Sequence, residues 1–219
     1  MLIVIEGVDA SGKATQTRLL SERLAGAGKK VHTVTFPDYE SDSSAPVKMY
    51  LSGELGETAD SVNPYAASAL FAVDRFCSYR TSWKKYLDEG DIVIADRYVT
   101  SNFIHQASKI SDISEKERFL SFQADFEYKK LGLPEPDAVI FLDVPPDISL
   151  SLMKERENKF THGEIKDIHE RDPEYIKKSY ENARFVADRF GFKKIDCTRD
   201  GKLKSIEEIS DEIMKALLY

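Results

Sequence analysis

The segment Gly7-Val8-Asp9-Ala10-Ser11-Gly12-Lys13-Ala14-Thr15 has the make-up of a phosphate cradle. Its glycines let the backbone curl so that successive N–H groups point inwards. A following helix adds positive potential at its N-terminus, and Lys13 has the length to reach β- and γ-phosphate oxygens. The setting agrees, because an apolar strand pattern precedes the loop and a helical pattern opens after Gly12. A Ser or Thr ordinarily follows the lysine to contact Mg²⁺, whereas here Ala14 stands there and Thr15 comes one residue later. The second constellation is Asp96-Arg97-Tyr98, directly after the apolar run Ile92 to Ala95. A carboxylate at a strand end can hold Mg²⁺ through water, and the arginine beside it can bridge phosphates bidentately. Alone, such a pair is an ordinary turn or surface ion pair; beside a phosphate loop it belongs to the same site, because ligands of open α/β sheets gather at the carboxyl ends of the strands.

The elements that must position these residues are legible as short apolar runs separated by longer helical patterns, the signature of successive βαβ units in a sheet buried on both faces. The runs are Leu2 to Ile5, Val31 to Phe36, Ile92 to Ala95, Ala138 to Leu142 and the weaker Phe192 to Asp196. The first helix follows Gly12 and closes at Gly26-Ala27-Gly28. A second opens at Asn63-Pro64 and carries Ala67, Leu70, Phe71 and Phe76 towards Leu87; Asn suits the N-cap and Pro the first helical position. Ser114 with Glu117 and Ser205 with Glu208 have capping-box spacing, and Asp172-Pro173 opens a further helix. Residues 37 to 62, rich in Ser, Asp, Gly and Pro, and the polar residues 154 to 171 read as mobile loops of the kind that serve as lids.

The 219 residues show no composition shift, repeat or low-complexity segment, so one domain over 1–219 is expected. Size scaling lets such a chain bury roughly 70% of its unfolded surface, enough to need no disulfide staple. With 31 basic against 38 acidic side chains the net charge is −7, which gives no general attraction to nucleic acid or anionic lipid, so any anion site is local. Cys77 and Cys197 fit no metal-ligand spacing and read as buried, reduced thiols. No apolar run has membrane-span length, and the opening run lacks a basic region and a small-residue cleavage site, so a cytoplasmic location is expected.

Taken together, Gly7 to Gln16, Phe36-Pro37, Leu70-Phe71-Ala72-Val73-Asp74-Arg75, Asp96-Arg97-Tyr98 with Ser101 and Asn102, and Phe141-Leu142-Asp143-Val144-Pro145 resemble the thymidylate kinases, in order and spacing over nearly the whole chain. The resemblance implies a P-loop NTPase-type parallel five-stranded sheet flanked by helices, with a lid at about 154–171. It implies Mg²⁺- and ATP-dependent phosphorylation of dTMP to dTDP by a homodimer. In its terms Gly7, Val8, Asp9, Ala10, Ser11, Gly12, Lys13, Ala14 and Thr15 hold ATP, and Arg156 lies against adenine. Phe36 and Tyr39 border the substrate, Phe71 stacks on thymine, Arg75 donates to its O4 and Asn102 meets its N3. Phe71 and Arg75, four apart on one helix, share a face. His105 stands near the deoxyribose 2′ position, where the family often has Tyr or Phe.

Asp9 lies, by the same resemblance, near the 3′-hydroxyl and the metal, and Arg97 touches both donor and acceptor phosphates. With Ala14 lacking a hydroxyl, Mg²⁺ is expected on Asp96, water and phosphate oxygens. No arginine follows Phe36-Pro37, where Asp38-Tyr39-Glu40 stand, which leaves Lys48 or Arg97 to hold the dTMP phosphate. Some members carry a catalytic arginine in the P-loop, but Ala10 and Ser11 occupy those positions, so the missing positive charge is expected from lid residues Lys159 and Lys166. Two other readings compete: another nucleoside or nucleoside monophosphate kinase, and a nucleotide-binding regulatory domain without turnover.

Overall fold

The computed structural model describes residues 1–160 and 172–218; at 155–160 and at Pro173 it is the backbone that is described. Five parallel strands form one sheet, β1 (Leu2–Glu6), β2 (Val31–Thr35), β3 (Ile92–Asp96), β4 (Ala138–Asp143) and β5 (Lys193–Asp196), in the order β2-β3-β1-β4-β5. This is the α/β architecture expected, with each expected run forming a strand. The central β1 is buried along its whole length, and its side chains alternate between two cores. Leu2 and Val4 join Val93, Phe103, Phe119 and Phe141 on one face, while Ile3 and Ile5 join Leu20, Ile94, Ile140 and Ile213 on the other.

Helices cover both faces. The first, α1 (Lys13–Gly26), starts directly from the glycine loop. Two helices, α3 (Pro64–Ser78) and α4 (Lys84–Asp88), are joined by a wider helical turn over Tyr79–Trp83, and Asn63 Oδ1 caps α3 by accepting from the Ala66 N–H at 2.9 Å. Next come α5 (Val99–His105) and α6 (Ile113–Ala124), the latter widening over Asp125–Lys130. The N-cap of α6 is Asp112, whose carboxylate accepts from the Glu115 N–H at 2.8 Å, rather than the expected Ser114. Ionised Asp at N-cap gains from the helix dipole what a serine hydroxyl does not. The final helices are α7 (Pro146–Phe160), α8 (Pro173–Phe190) and α9 (Ile206–Leu218). Asp172 caps α8 as expected, and Ser205 with Glu208 forms the expected capping box of α9.

Further expectations are corrected. Residues 37–62 contain α2 (Ala45–Ser52), whose Val47, Tyr50 and Leu51 at helical spacing pack with Ala67, Leu70 and Phe71 of α3. Serines and glycines around this short helix hide its three apolar contacts from a composition reading. The stretch taken as a loop from 154 is helical to Phe160, where Lys, Glu and Arg continue α7. Cys197 is buried as expected, but Cys77 is only partly covered. A small hairpin, β6 (Thr198–Arg199) with β7 (Lys202–Leu203), precedes α9, and no described helix is long and apolar enough to cross a membrane.

Candidate active site

Parallel pairing sets the site, because β1 lies between β3 and β4 and the chain leaves all three at the same end of the sheet. Register pairs Ile5 with Asp96 and with Ile140, so Gly7 and Arg97 emerge side by side, and the Arg97 N–H donates to the Ile5 carbonyl at 3.1 Å. Strand order reverses direction at β1, which makes this end the expected crevice of an open α/β sheet. Gly7 is required there: a Cβ would lie 2.5 Å from Ser11 Oγ and 3.1 Å from the Leu142 carbonyl. Gly12 caps α1 with φ 87°, and Ala10 and Arg97 also adopt left-handed conformations, φ 57° and 67°. Non-glycine residues held this way cost about 1 kcal/mol or more each and cluster at functional sites.

A cavity of about 530 Å³ opens over this loop. It is lined by residues 9 to 16, by Asp96 and Arg97 at the end of β3, by Phe36, Pro37 and Tyr39 after β2, and by Leu203, Lys204 and Ile206 before and at the start of α9. Lys13 folds over the loop and donates from Nζ to the Val8 carbonyl at 2.8 Å. Burial pushes its ammonium pKa down to about 8, and Arg97 adds to that fall against the pull of Asp9, Asp96 and Glu6. Arg97 pairs with Asp9 through Nη2 and donates from Nη1 to His105 Nε2 at 2.9 Å, so the ring presents Nε2 as an acceptor. Burial works to lower the Arg97 pKa, but Asp9, Glu6 and Asp96 together hold it above its ordinary value.

Beneath the loop, Glu6 is fully buried and accepts from Thr100 Oγ1 at 2.7 Å, Ser101 Oγ at 2.9 Å and the Tyr98 N–H at 3.3 Å. Burial raises its pKa, opposed by Arg97 and the two hydroxyls. Glu6 ties the start of α5 to the phosphate loop, and α5 carries Asn102 and His105. Arg75 is buried and pairs bidentately with Glu127, Nε to Oε2 and Nη2 to Oε1, both at 2.7 Å. Asn102 Nδ2 donates to the same Oε1 at 2.9 Å. Phe71 sits edge-on to Tyr50, with ring centroids 6.0 Å apart.

The structure thus gathers Asp9, Lys13, Asp96, Arg97 and His105 at the sheet end, and Phe71, Arg75 and Asn102 on α3 and α5 behind it. Phe36 lines the cavity while anchored in the core, whereas Tyr39 is exposed at its edge. Lys48 is exposed on α2 and is not among the cavity residues, whereas Arg97 is. Arg156 and Lys159 fall on the α7 backbone, and Lys166 lies outside the described residues. Glu6, Glu127 and the apolar Leu203 and Ile206 escaped the sequence reading. Glu127 meets a partner 52 positions away, and no local pattern announces that.

No group of three or more His, Cys, Asp or Glu able to hold a metal occurs among the described residues. Asp9 and Asp96, both lining the cavity and both acting on Lys13, nevertheless suit Mg²⁺, which takes one or two carboxylates and completes its shell with phosphate oxygens and water.

Comparison with known proteins follows the same line. A family described as thymidylate kinase matches residues 5–213. The chain is 36% identical to the thymidylate kinase of Mycobacterium tuberculosis over 176 residues, 80% of this chain and 79% of the relative. It is 29% identical to that of Plasmodium falciparum over 97% of this chain and 87% of the other. It is 28% identical to a probable thymidylate kinase of Saccharolobus solfataricus over 99% and 98%.

Proposed function

The chain belongs to the thymidylate kinase family of phosphotransferases, and from that premise we propose that it transfers the γ-phosphoryl of ATP to dTMP, giving dTDP and ADP. The observation that carries the reading is Arg97. It is held beside the phosphate loop by Asp9 and His105, and it lines the same cavity as Lys13, Phe36 and Tyr39.

Phosphoryl transfer needs positioning and charge neutralisation more than covalent participation. Loop N–H groups and Lys13 take the β- and γ-phosphates, for which Lys13 leaves the Val8 carbonyl it now touches. Arg97 bridges the γ-phosphate and the dTMP phosphate, which is itself the nucleophile and is anionic at neutral pH, so no enzyme base is needed. Asp9 holds Arg97 in place and accepts from the 3′-hydroxyl. Mg²⁺ would be held by Asp96 and Asp9 with water and ATP oxygens, and supplies further neutralisation of the phosphates. Leu203 and Ile206 offer adenine an apolar wall, and Arg156 lies against the base. Thymine lies between Phe71, Arg75 and Asn102. Lys159 and Lys166, on a lid over 154–171, supply the cation that Ala10 and Ser11 do not.

We place the reaction in the cytoplasm, in keeping with free cysteines, and in a homodimer of one-domain chains whose exposed Tyr65 and Phe122 are suited to the contact. The test is incubation with ATP, Mg²⁺ and, separately, dTMP, dUMP, dCMP, dGMP and thymidine. Product is expected with dTMP foremost. Turnover confined to another acceptor would overturn the assignment.

A further inference from the structure

Arg75 and Asn102 each have one group that must face a base and another that must not, and their orientation is decided by a residue that touches no ligand in the reading above. Glu127 is fully buried, receives the Nε and Nη2 edge of Arg75, and takes Asn102 Nδ2 on the same Oε1 that holds Arg75 Nη2. A carboxylate in a guanidinium pair only accepts. It therefore commits the Asn102 amide to one of its two rotations, with NH₂ turned inwards and Oδ1 left for a ligand. The Ser68 carbonyl, 3.2 Å from Nδ2, takes the second proton and supports the same rotation, through a longer and uncharged contact than the 2.9 Å one to Glu127. Gln123 Oε1 stands at 3.4 Å, but an amide can itself turn over and cannot impose polarity. The Arg75 pair leaves the outer Nη1 N–H groups as donors. In the reading above, Asn102 Oδ1 is then the acceptor and Arg75 Nη1 the donor offered to the base. Thymine, with a donor at N3–H and an acceptor at O4, complements that order, whereas cytosine presents an acceptor at N3 and an amino donor at C4.

We propose that Glu127 is the specificity-determining positioning residue of this enzyme: by accepting from both Arg75 and Asn102 it sets the acceptor–donor order that admits thymine and rejects cytosine. The proposal rests on the dTMP kinase reading and deepens it.

The test compares kcat/KM for dTMP and dCMP, with ATP saturating, in wild type, Glu127→Gln and Glu127→Asp. Glutamine keeps the volume but replaces one of the two oxygens that Arg75 and Asn102 share by an N–H donor, which sets donor against donor and displaces the Arg75 guanidinium or the Asn102 amide from its set orientation. It is expected to narrow the dTMP-to-dCMP ratio by about tenfold or more, chiefly through a higher KM for dTMP, with KM for ATP unchanged. Aspartate remains an acceptor only, so the ratio is expected to survive while KM for dTMP rises. An E127Q enzyme that loses activity on both substrates alike, or an E127D enzyme whose ratio collapses equally, overturns the proposal. Wild-type protein provides a check independent of any variant's folding. In ¹⁵N spectra the Asn102 side-chain NH₂ is expected to exchange slowly both with and without dTMP, and rapid exchange in the free protein, or protection that arises only with dTMP, overturns it. Absence of dTMP turnover in wild type would bring down the functional reading itself; a dTMP-selective wild type whose selectivity ignores Glu127 brings down only this inference.

Discussion

At the residue scale the site is a balance of buried charges of both signs, and each can be tested by removing one. Lys13→Ala is expected to abolish detectable transfer while the circular dichroism spectrum stays that of the folded protein, because Lys13 Nζ is fastened to a loop carbonyl and not to another element of the fold. Turnover within a few fold of wild type would remove Lys13 from the phosphate site. Its pKa of about 8 in the free protein adds a pH dependence. Triphosphate favours the charged ammonium, so ATP binding above pH 8 must take up a proton, and affinity is expected to fall as pH rises from 8 to 9.5. Calorimetry in buffers of different ionisation enthalpy reads that uptake directly, and its absence would mean Lys13 is already charged there. Asp96→Asn is expected to raise the Mg²⁺ concentration for half-maximal activity sharply, since it halves the carboxylates at the cavity suited to the cation. An unchanged Mg²⁺ titration would assign Asp96 another task.

At the element scale α3 does two jobs, carrying Phe71 and the buried Arg75 and holding the chain after Phe36-Pro37 with Asp74. The buried Asp74 carboxylate accepts from the Asp38 N–H and from Ser43 Oγ, both at 2.8 Å, and so pins the chain that follows Phe36-Pro37. Asp74→Asn replaces one acceptor by a donor, leaving a buried group unmatched at a cost of about 1–3 kcal/mol. A lower melting temperature and a several-fold higher KM for dTMP, with KM for ATP little changed, are the expected outcome; equal shifts in both Michaelis constants would show that α3 does not act through that segment. Lys109 holds the neighbouring α2 region, donating to Tyr50 Oη at 2.9 Å and the Val62 carbonyl at 3.2 Å, and its burial drops its pKa to about 8. These anchors explain why residues 37–62, loop-like in composition, form ordered structure: their fastenings lie on α3 and just beyond α5.

At the scale of the whole molecule, α3 and α6 present an aromatic group in which Tyr65 lies edge-on to Phe119 and Phe122, at 5.1 and 5.0 Å, and Phe122 stacks on Phe126. Tyr65 and Phe122 are nonetheless exposed. Sedimentation is expected to give twice the mass of the chain, and Phe122→Glu to return it to a monomer; a wild-type monomer at micromolar concentration would refute the homodimer. The sequence by itself determined the five strands, most helix starts and the phosphate loop. Each is written in contiguous residues, as an apolar run, a cap at fixed spacing, or glycines followed by Lys13. Gly7 is legible in the same way, though its reason, the approach of Ser11 and the Leu142 carbonyl, is not. Only the tertiary structure decided the strand order that sets Arg97 beside Gly7, the partnership of Arg97 with Asp9 and His105, the burial of Glu6 under the loop, and the meeting of Arg75, Asn102 and Glu127. All but the Arg97–His105 contact join residues remote in the chain. The hydrogen-bond partner of a buried charge depends on which elements pack together, and no local spacing encodes that.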